Sequence, residues 1–144
     1  MKRTNRERGT QIVELAVSLP LLMFLSLAII DGGELVRCHQ VINNAAREGA
    51  RLSSQVENKG ATTAIQNAVV QYAANNNLVI STSDVTVDQA QPIALPDGSV
   101  MPSSLVTVTH SYSFQYLPKL AFFNIPSSVN LRASISVARP EQSI

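Results

Sequence analysis

Tryptophan is absent, cysteine occurs once and histidine twice among the 144 residues. A single thiol, Cys38, forbids an internal disulfide and any cysteine-rich structural metal site. Lipidation is argued against by Arg37, which stands before Cys38 where lipoprotein processing sites carry a small residue, so the thiol reads as a small, semi-buried helix residue. The two histidines, His39 and His110, fall on different expected elements, and the chain has no HExxH, glycine-rich phosphate loop or serine elbow. Asp84, Asp88 and Asp97 scatter near expected turns without the spacing of a calcium loop. The composition therefore points away from an enzyme and offers no residue set for a cofactor or a metal.

Charge is also scarce, at 15% of residues. Eleven Lys and Arg against ten Asp and Glu give +1, but Lys2, Arg3, Arg6 and Arg8 crowd the first eight positions opposite only Glu7. From Thr10 onward seven basic and nine acidic residues leave −2. No later cluster of cations matches the spacing of phosphates, which excludes a nucleic-acid partner.

What the chain does have is one long hydrophobic run. Residues 15–30 read LAVSLPLLMFLSLAII without a charge, and Ile12 and Val13 extend the run to nineteen positions if Glu14 is tolerated. Nineteen helical residues span about 28 Å, close to the core of a bilayer. Ser18 and Ser26 can bond back to their own helix, and Pro20 is tolerated in a membrane helix with an expected bend. The basic cluster before the run, with Asp31 and Glu34 after it, predicts a cytoplasmic N-terminus and an exported C-terminal portion. A cleaved secretory signal is disfavoured, because no small-x-small site closes the run and a helical pattern continues beyond it.

Leu35, Cys38, Val41, Ile42, Ala45, Gly49, Leu52 and Val56 recur at spacings of three and four, which predicts one helix from Thr10 to Val56. Gly32 and Gly33 are expected to loosen it, and Gly60 with Thr62 to end it. Ala45, Ala46, Gly49 and Ala50 allow a second backbone to approach closely, either within a folded head or between subunits, with the former favoured. Arg47, Glu48 and Arg51 suit a solvated face or an intersubunit ion pair.

Further on, Thr62 or Thr63 is expected to cap a second helix using Ile65, Ala68, Val69, Tyr72 and Ala73 and ending in Asn75, Asn76 and Asn77. Residues 79–87 read as a weak edge strand and 89–104 as a turn-rich stretch punctuated by Pro92, Pro96, Gly98 and Pro102. The clearest alternation is LVTVTHSYSFQY, with Val106, Val108, His110, Tyr112, Phe114 and Tyr116 on one side. Its expected partner is VNLRASISVAR, reached through an elaborated loop containing Phe122 and Phe123. Those two phenylalanines read either as core or as a patch facing membrane or partner. The expected fold is α+β: a long N-terminal transmembrane and amphipathic helix, a short second helix and a small antiparallel sheet. The expected organisation is a basic leader at 1–9, a transmembrane helix at 10–30, an amphipathic extension at 31–59 and an extracytoplasmic α+β head at 60–144.

Glu14 requires an explanation, since a carboxylate at the start of a spanning helix costs several kcal/mol unless it reaches the interface, is protonated or finds a cation. One reading is an interfacial glutamate favoured by the positive helix end. The other is that cutting after Gly9 removes the basic leader and creates an amine at Thr10, a cation at similar depth on the same or a neighbouring chain.

RGTQIVELAVSLPLLMFLSLAIIDGGELVRCHQVINNAAREGARLSS, with Gly9, Glu14, Pro20, the acid and glycines after the span and the block Asn44 to Arg51, resembles the TadE-like pseudopilins of the tight-adherence machinery, a branch related to type IVb pilins. The closing LRASISVARPE also resembles that family's final strand. The resemblance implies a type IV pilin-like fold, cleavage after Gly9 by a prepilin peptidase, and an assembly role for Glu14. It further implies other pilins or pseudopilins, an inner-membrane assembly platform and the lipid bilayer as partners. The implied function is that of a minor pilin in Flp pilus assembly, adherence and sometimes secretion, located in a bacterial inner membrane. The alternative is a membrane-tethered extracytoplasmic scaffold or binding protein that never enters a filament.

Overall fold

A computed structural model describes residues 4–58, 60–119 and 126–139. They form α1 (Thr4–Ser53), α2 (Thr62–Asn75), β1 (Val85–Ala94), β2 (Val100–Ser113) and β3 (Ser128–Ala138), with short 3-10 turns at Val56–Asn58, Thr82–Asp84 and Leu117–Lys119. The strands make one antiparallel sheet in the order β1-β2-β3. The architecture is the expected α+β one. It divides into two units, Met1–Leu35 with Phe114–Ser127, and Val36–Ser113 with Ser128–Ile144.

In the first unit, α1 is apolar on every side. Ile12, Val17 and Ile29 are 68%, 71% and 66% exposed, and Val13, Leu15, Leu19, Leu21, Leu22, Met23, Leu25 and Ile30 are also exposed. Only Ser18, Phe24, Leu27 and Ala28 are half-buried between Ile12 and Ile30, and a helix so apolar and so little covered belongs in lipid or in a larger core, not in water. The hydroxyls of Ser18 and Ser26 donate to the carbonyls of Glu14 and Leu22 at 2.7 and 2.9 Å, so neither needs water. The helix is unbroken through Pro20 and through Gly32 and Gly33, where loosening was expected. Helical backbone bonds carry both glycines at a modest propensity cost.

In the second unit, the remaining part of α1 buries Cys38, Val41, Ile42, Ala45, Ala46, Gly49, Ala50 and Ser53, a stripe at three- and four-residue spacing. α1 ends at Ser53, before the expected Val56, and a 3-10 turn follows. The Ser54 N–H still bonds the Ala50 carbonyl at 3.1 Å, but the Gln55 N–H turns to the Leu52 carbonyl three residues back at 3.2 Å, which Asn58 Nδ2 also bonds at 3.0 Å, so the α-helical ladder gives way to 3-10 spacing. Ile65, Val69 and Ala73 of α2 are buried in the same core. Ala61 rather than a threonine precedes α2, and no side chain caps it. At its other end Asn77 adopts φ 55° and Leu78 N–H bonds the Ala73 carbonyl at 3.0 Å, a left-handed termination that turns Leu78 into the core.

The sheet supplies the opposing layer. Val106, Val108 and Tyr112 of β2 and Leu131 and Ala133 of β3 are buried, as the alternation predicts. The ladder pairs Val106 with Ile135 and Tyr112 with Val129, and β2 ends at Ser113, so Phe114 and Tyr116 lie beyond the strand. Two expectations fail nearby. Residues 79–84 are not strand, because the Asp84 carboxylate takes the Ser81 N–H at 2.8 Å and its hydroxyl at 2.9 Å, closing a 3-10 turn in place of a ladder. Residues 89–104 are mostly strand: β1 and β2 continue past Pro92 and Pro102, which face each other across the ladder. The edge position of β1 accommodates Pro92, and Pro102 stands just outside the β2–β3 pairs, which begin at Ser103. Only 95–99 is turn, with Gly98 at φ +83°.

Candidate functional site: the exposed helix and the Asp31 clamp

The apolar part of α1 begins at the residues singled out in the sequence. Gly9, Thr10 and Glu14 all lie within the helix and are exposed. A Cβ at Gly9 would meet nothing within 4 Å, so packing does not require glycine there. Its low helix propensity instead weakens the turn that holds the Gly9–Thr10 bond. The Ser18 hydroxyl occupies the backbone carbonyl of Glu14, while the Glu14 carboxylate makes no hydrogen bond or ion pair among the described residues.

At the far end of the run stands Asp31, the acid directly after the last apolar position. Asp31 is 1% exposed. Its Oδ1 accepts the Gln115 N–H at 3.2 Å, and its Oδ2 accepts those of Tyr116 and Leu117 at 3.0 and 2.8 Å. Three consecutive amides thus converge on one carboxylate, and charge-assisted bonds of this kind are about twice as strong as neutral ones. Phe24, Leu27 and Ala28 are partly covered on the helix face leading to Asp31. The connection from β2 to β3 is thereby tied to α1 one residue after the last apolar position, Ile30. The available sequence signal was an acid abutting an apolar run, a position where a carboxylate needs donors.

The small residues meet the second unit's core. Ala45, Ala46 and Ala50 are buried, and a Cβ on Gly49 would lie 2.6 Å from Val69 Cγ2, 3.0 Å from Val106 Cγ1 and 3.7 Å from Ile65 Cγ2. Gly49 therefore lets α1 press against α2 and β2. On the opposite side Arg51 Nε and Nη2 donate to Glu48 Oε2 and Oε1 at 2.9 and 2.6 Å. That bidentate contact lowers the Glu48 carboxyl and raises the Arg51 guanidinium relative to their ordinary values. Phe122 and Phe123 lie outside the described residues.

Neither histidine joins these features. His39 is exposed on α1 beside Asn43, whose Nδ2 donates to the His39 carbonyl at 2.8 Å. His110 lines an open groove of about 360 Å³ with Asp84, Thr109, Asn130 and Arg132. Asp84 is already engaged by Ser81, whose N–H and hydroxyl lower its carboxyl below the usual range; burial opposes this and the His110 charge adds a smaller pull. Among the described residues no group of three or more His, Cys, Asp or Glu side chains is placed to hold a metal ion.

The exposed apolar helix is long and apolar enough to cross a membrane. No curated protein and no solved structure matches the chain. Residues 9–51, which open at Gly9 and run through the apolar stretch, Asp31 and Gly49, match the family model described as TadE-like protein, a similarity that covers the helical segment and not the sheet.

Proposed function

We propose that the protein is a non-enzymatic, pilin-like subunit of a tight-adherence (Tad, Flp-type) pilus system. It is anchored in the inner membrane by residues 12–30, with the arginine-rich tip in the cytoplasm and the sheet-bearing unit outside. The observation that carries this reading is the exposure of most apolar side chains from Ile12 to Ile30 inside a segment that matches the TadE-like model. A helix of this kind is unstable in water and is satisfied by lipid or by the helices of other subunits.

In this reading a prepilin peptidase cuts after Gly9, where the glycine eases local unwinding of an exposed helix. Cleavage removes the basic leader and leaves an amine at Thr10 four positions before Glu14. Other pilins or pseudopilins then pack along the lipid-facing surface, and an inner-membrane assembly platform engages the product.

Mass spectrometry of the protein isolated from membranes of its native host tests this. The expected N-terminus is Thr10, reverting to the uncut form on disruption of the peptidase or of Gly9. An uncut N-terminus in mature assemblies rejects processing and favours a membrane-tethered scaffold that stays outside the filament.

A further inference from the structure

We propose that residues 114–118 form a second membrane contact, an aromatic interfacial loop that Asp31 holds against the bilayer surface where α1 leaves it. This rests on the reading of residues 12–30 as a membrane span.

The argument is one of depth. The apolar run from Ile12 to Ile30 measures about 28 Å, nearly the full hydrocarbon thickness of about 30 Å, so Asp31 emerges at the boundary. The headgroup layer beyond it is roughly 5–7 Å thick on each side. The amides of Gln115, Tyr116 and Leu117 lie 2.8 to 3.2 Å from the Asp31 carboxylate. With one aspartate side chain between them and the helix, these amides are confined to the headgroup layer.

The chemistry of the loop suits that layer. Phe114 and Tyr116 alternate with Gln115, and Leu117 and Pro118 follow. Tyrosine places an apolar ring and a polar tip at the level where each is satisfied, which is why such residues collect at membrane boundaries. The clamp also resolves a cost. A carboxylate shielded from water beside hydrocarbon is expensive, and the three backbone donors take the place of its lost hydration. In the same bonds the loop satisfies its own amides, which permits irregular backbone next to lipid. The partner is therefore a lipid surface rather than another protein.

Because the native chain has no tryptophan, single-tryptophan probes report depth directly. Full-length Q115W, Y116W and M23W variants are reconstituted into phosphatidylcholine–phosphatidylglycerol vesicles carrying lipids brominated at shallow or deep acyl positions. The expected result is strong quenching of M23W by deep bromines, and quenching of Q115W and Y116W by shallow bromines with protection from aqueous iodide. Adding D31N is expected to weaken docking by about tenfold, the loss of one charge-assisted bond, so that Q115W loses its shallow quenching while M23W is unchanged.

Full iodide access at both Q115W and Y116W, with M23W still quenched from the deep position, overturns the interfacial loop and leaves the span intact. Absence of deep quenching of M23W overturns the span reading, and the loop proposal with it. The exposed position of Gln115 keeps the test valid if tryptophan at half-buried Tyr116 disturbs folding.

Discussion

The Asp31 carboxylate accepts the Leu117 amide at 2.8 Å across 86 positions of sequence, and the adjacent amides of Tyr116 and Gln115 complete the contact. One side chain thus fixes where the β2–β3 connection meets α1. Replacing Asp31 by Asn keeps the size but substitutes an NH2 for one oxygen, setting a donor against donors. Hydrogen exchange at amides 115–117 is expected to accelerate by about tenfold or more, the equivalent of 1.4 kcal/mol or greater local loss. Amides of the β2–β3 ladder should be unaffected. Unchanged exchange at 115–117 would show that the clamp does not hold the loop in solution.

Gly49 gives a prediction of a different kind, because the atoms it would strike belong to stiff, fully buried valines. Alanine there gains about 1 kcal/mol of helix propensity. The added Cβ, 2.6 Å from Val69 Cγ2, forces a shift of core that costs about 1–3 kcal/mol. The net expectation is a lower Tm for Gly49→Ala and a larger drop for Gly49→Val. Val69→Ala should be less harmful in the Gly49→Ala background than alone, and a double-mutant cycle of melting curves measures that coupling.

The long apolar helix, the Cys38–Gly49 stripe, α2 and the β2–β3 pair are legible in the sequence because each is a sustained run or pattern over many residues that follows from local geometry. What it hid was set by other forces. Pro92 and Pro102 look like turns one at a time, and only their pairing across an irregular edge ladder makes them strand. Residues 79–84 alternate like a strand, yet one aspartate on the Ser81 amide outcompetes the ladder. Gly9 and Glu14 stood out by their place in the sequence. Asp31 did not, because its partners are backbone amides more than eighty positions away and backbone amides carry no sequence signal.

The turn at Ser81 predicts an acid-limb effect. Asp84 has a lower carboxyl pKa when folded, chiefly through the Ser81 amide and then its hydroxyl. Its contribution is therefore present above the unfolded value of about 3.9 and lost as pH falls through the lower folded value. The stability difference between wild type and Asp84→Asn, measured by denaturant melts, should be greatest near neutrality and shrink as pH drops below about 4. Solvent screening keeps it under about 1 kcal/mol. A difference that grows on acidification would reverse the assigned sign.

Glu14 provides the sharpest separation of insertion from assembly. Its carboxylate is exposed at the start of the span and has no side-chain partner among the described residues, so in lipid it must be protonated, reach the interface or find a cation. Insertion of the helix does not need the charge, and removing it makes the segment more apolar. Assembly does need it if the Thr10 amine of the same or an adjacent subunit is its partner. Glu14→Ala should therefore remain in the membrane fraction at wild-type yield while co-isolation with pilins falls by roughly tenfold, about 1.4 kcal/mol. Glu14→Asp, which keeps the charge, should recover much of the loss. Equal co-isolation of the alanine variant would remove the ion pair from the account while leaving the proposed membrane anchor in place, because that proposal depends on the apolar side chains of residues 12–30 and not on their one acid.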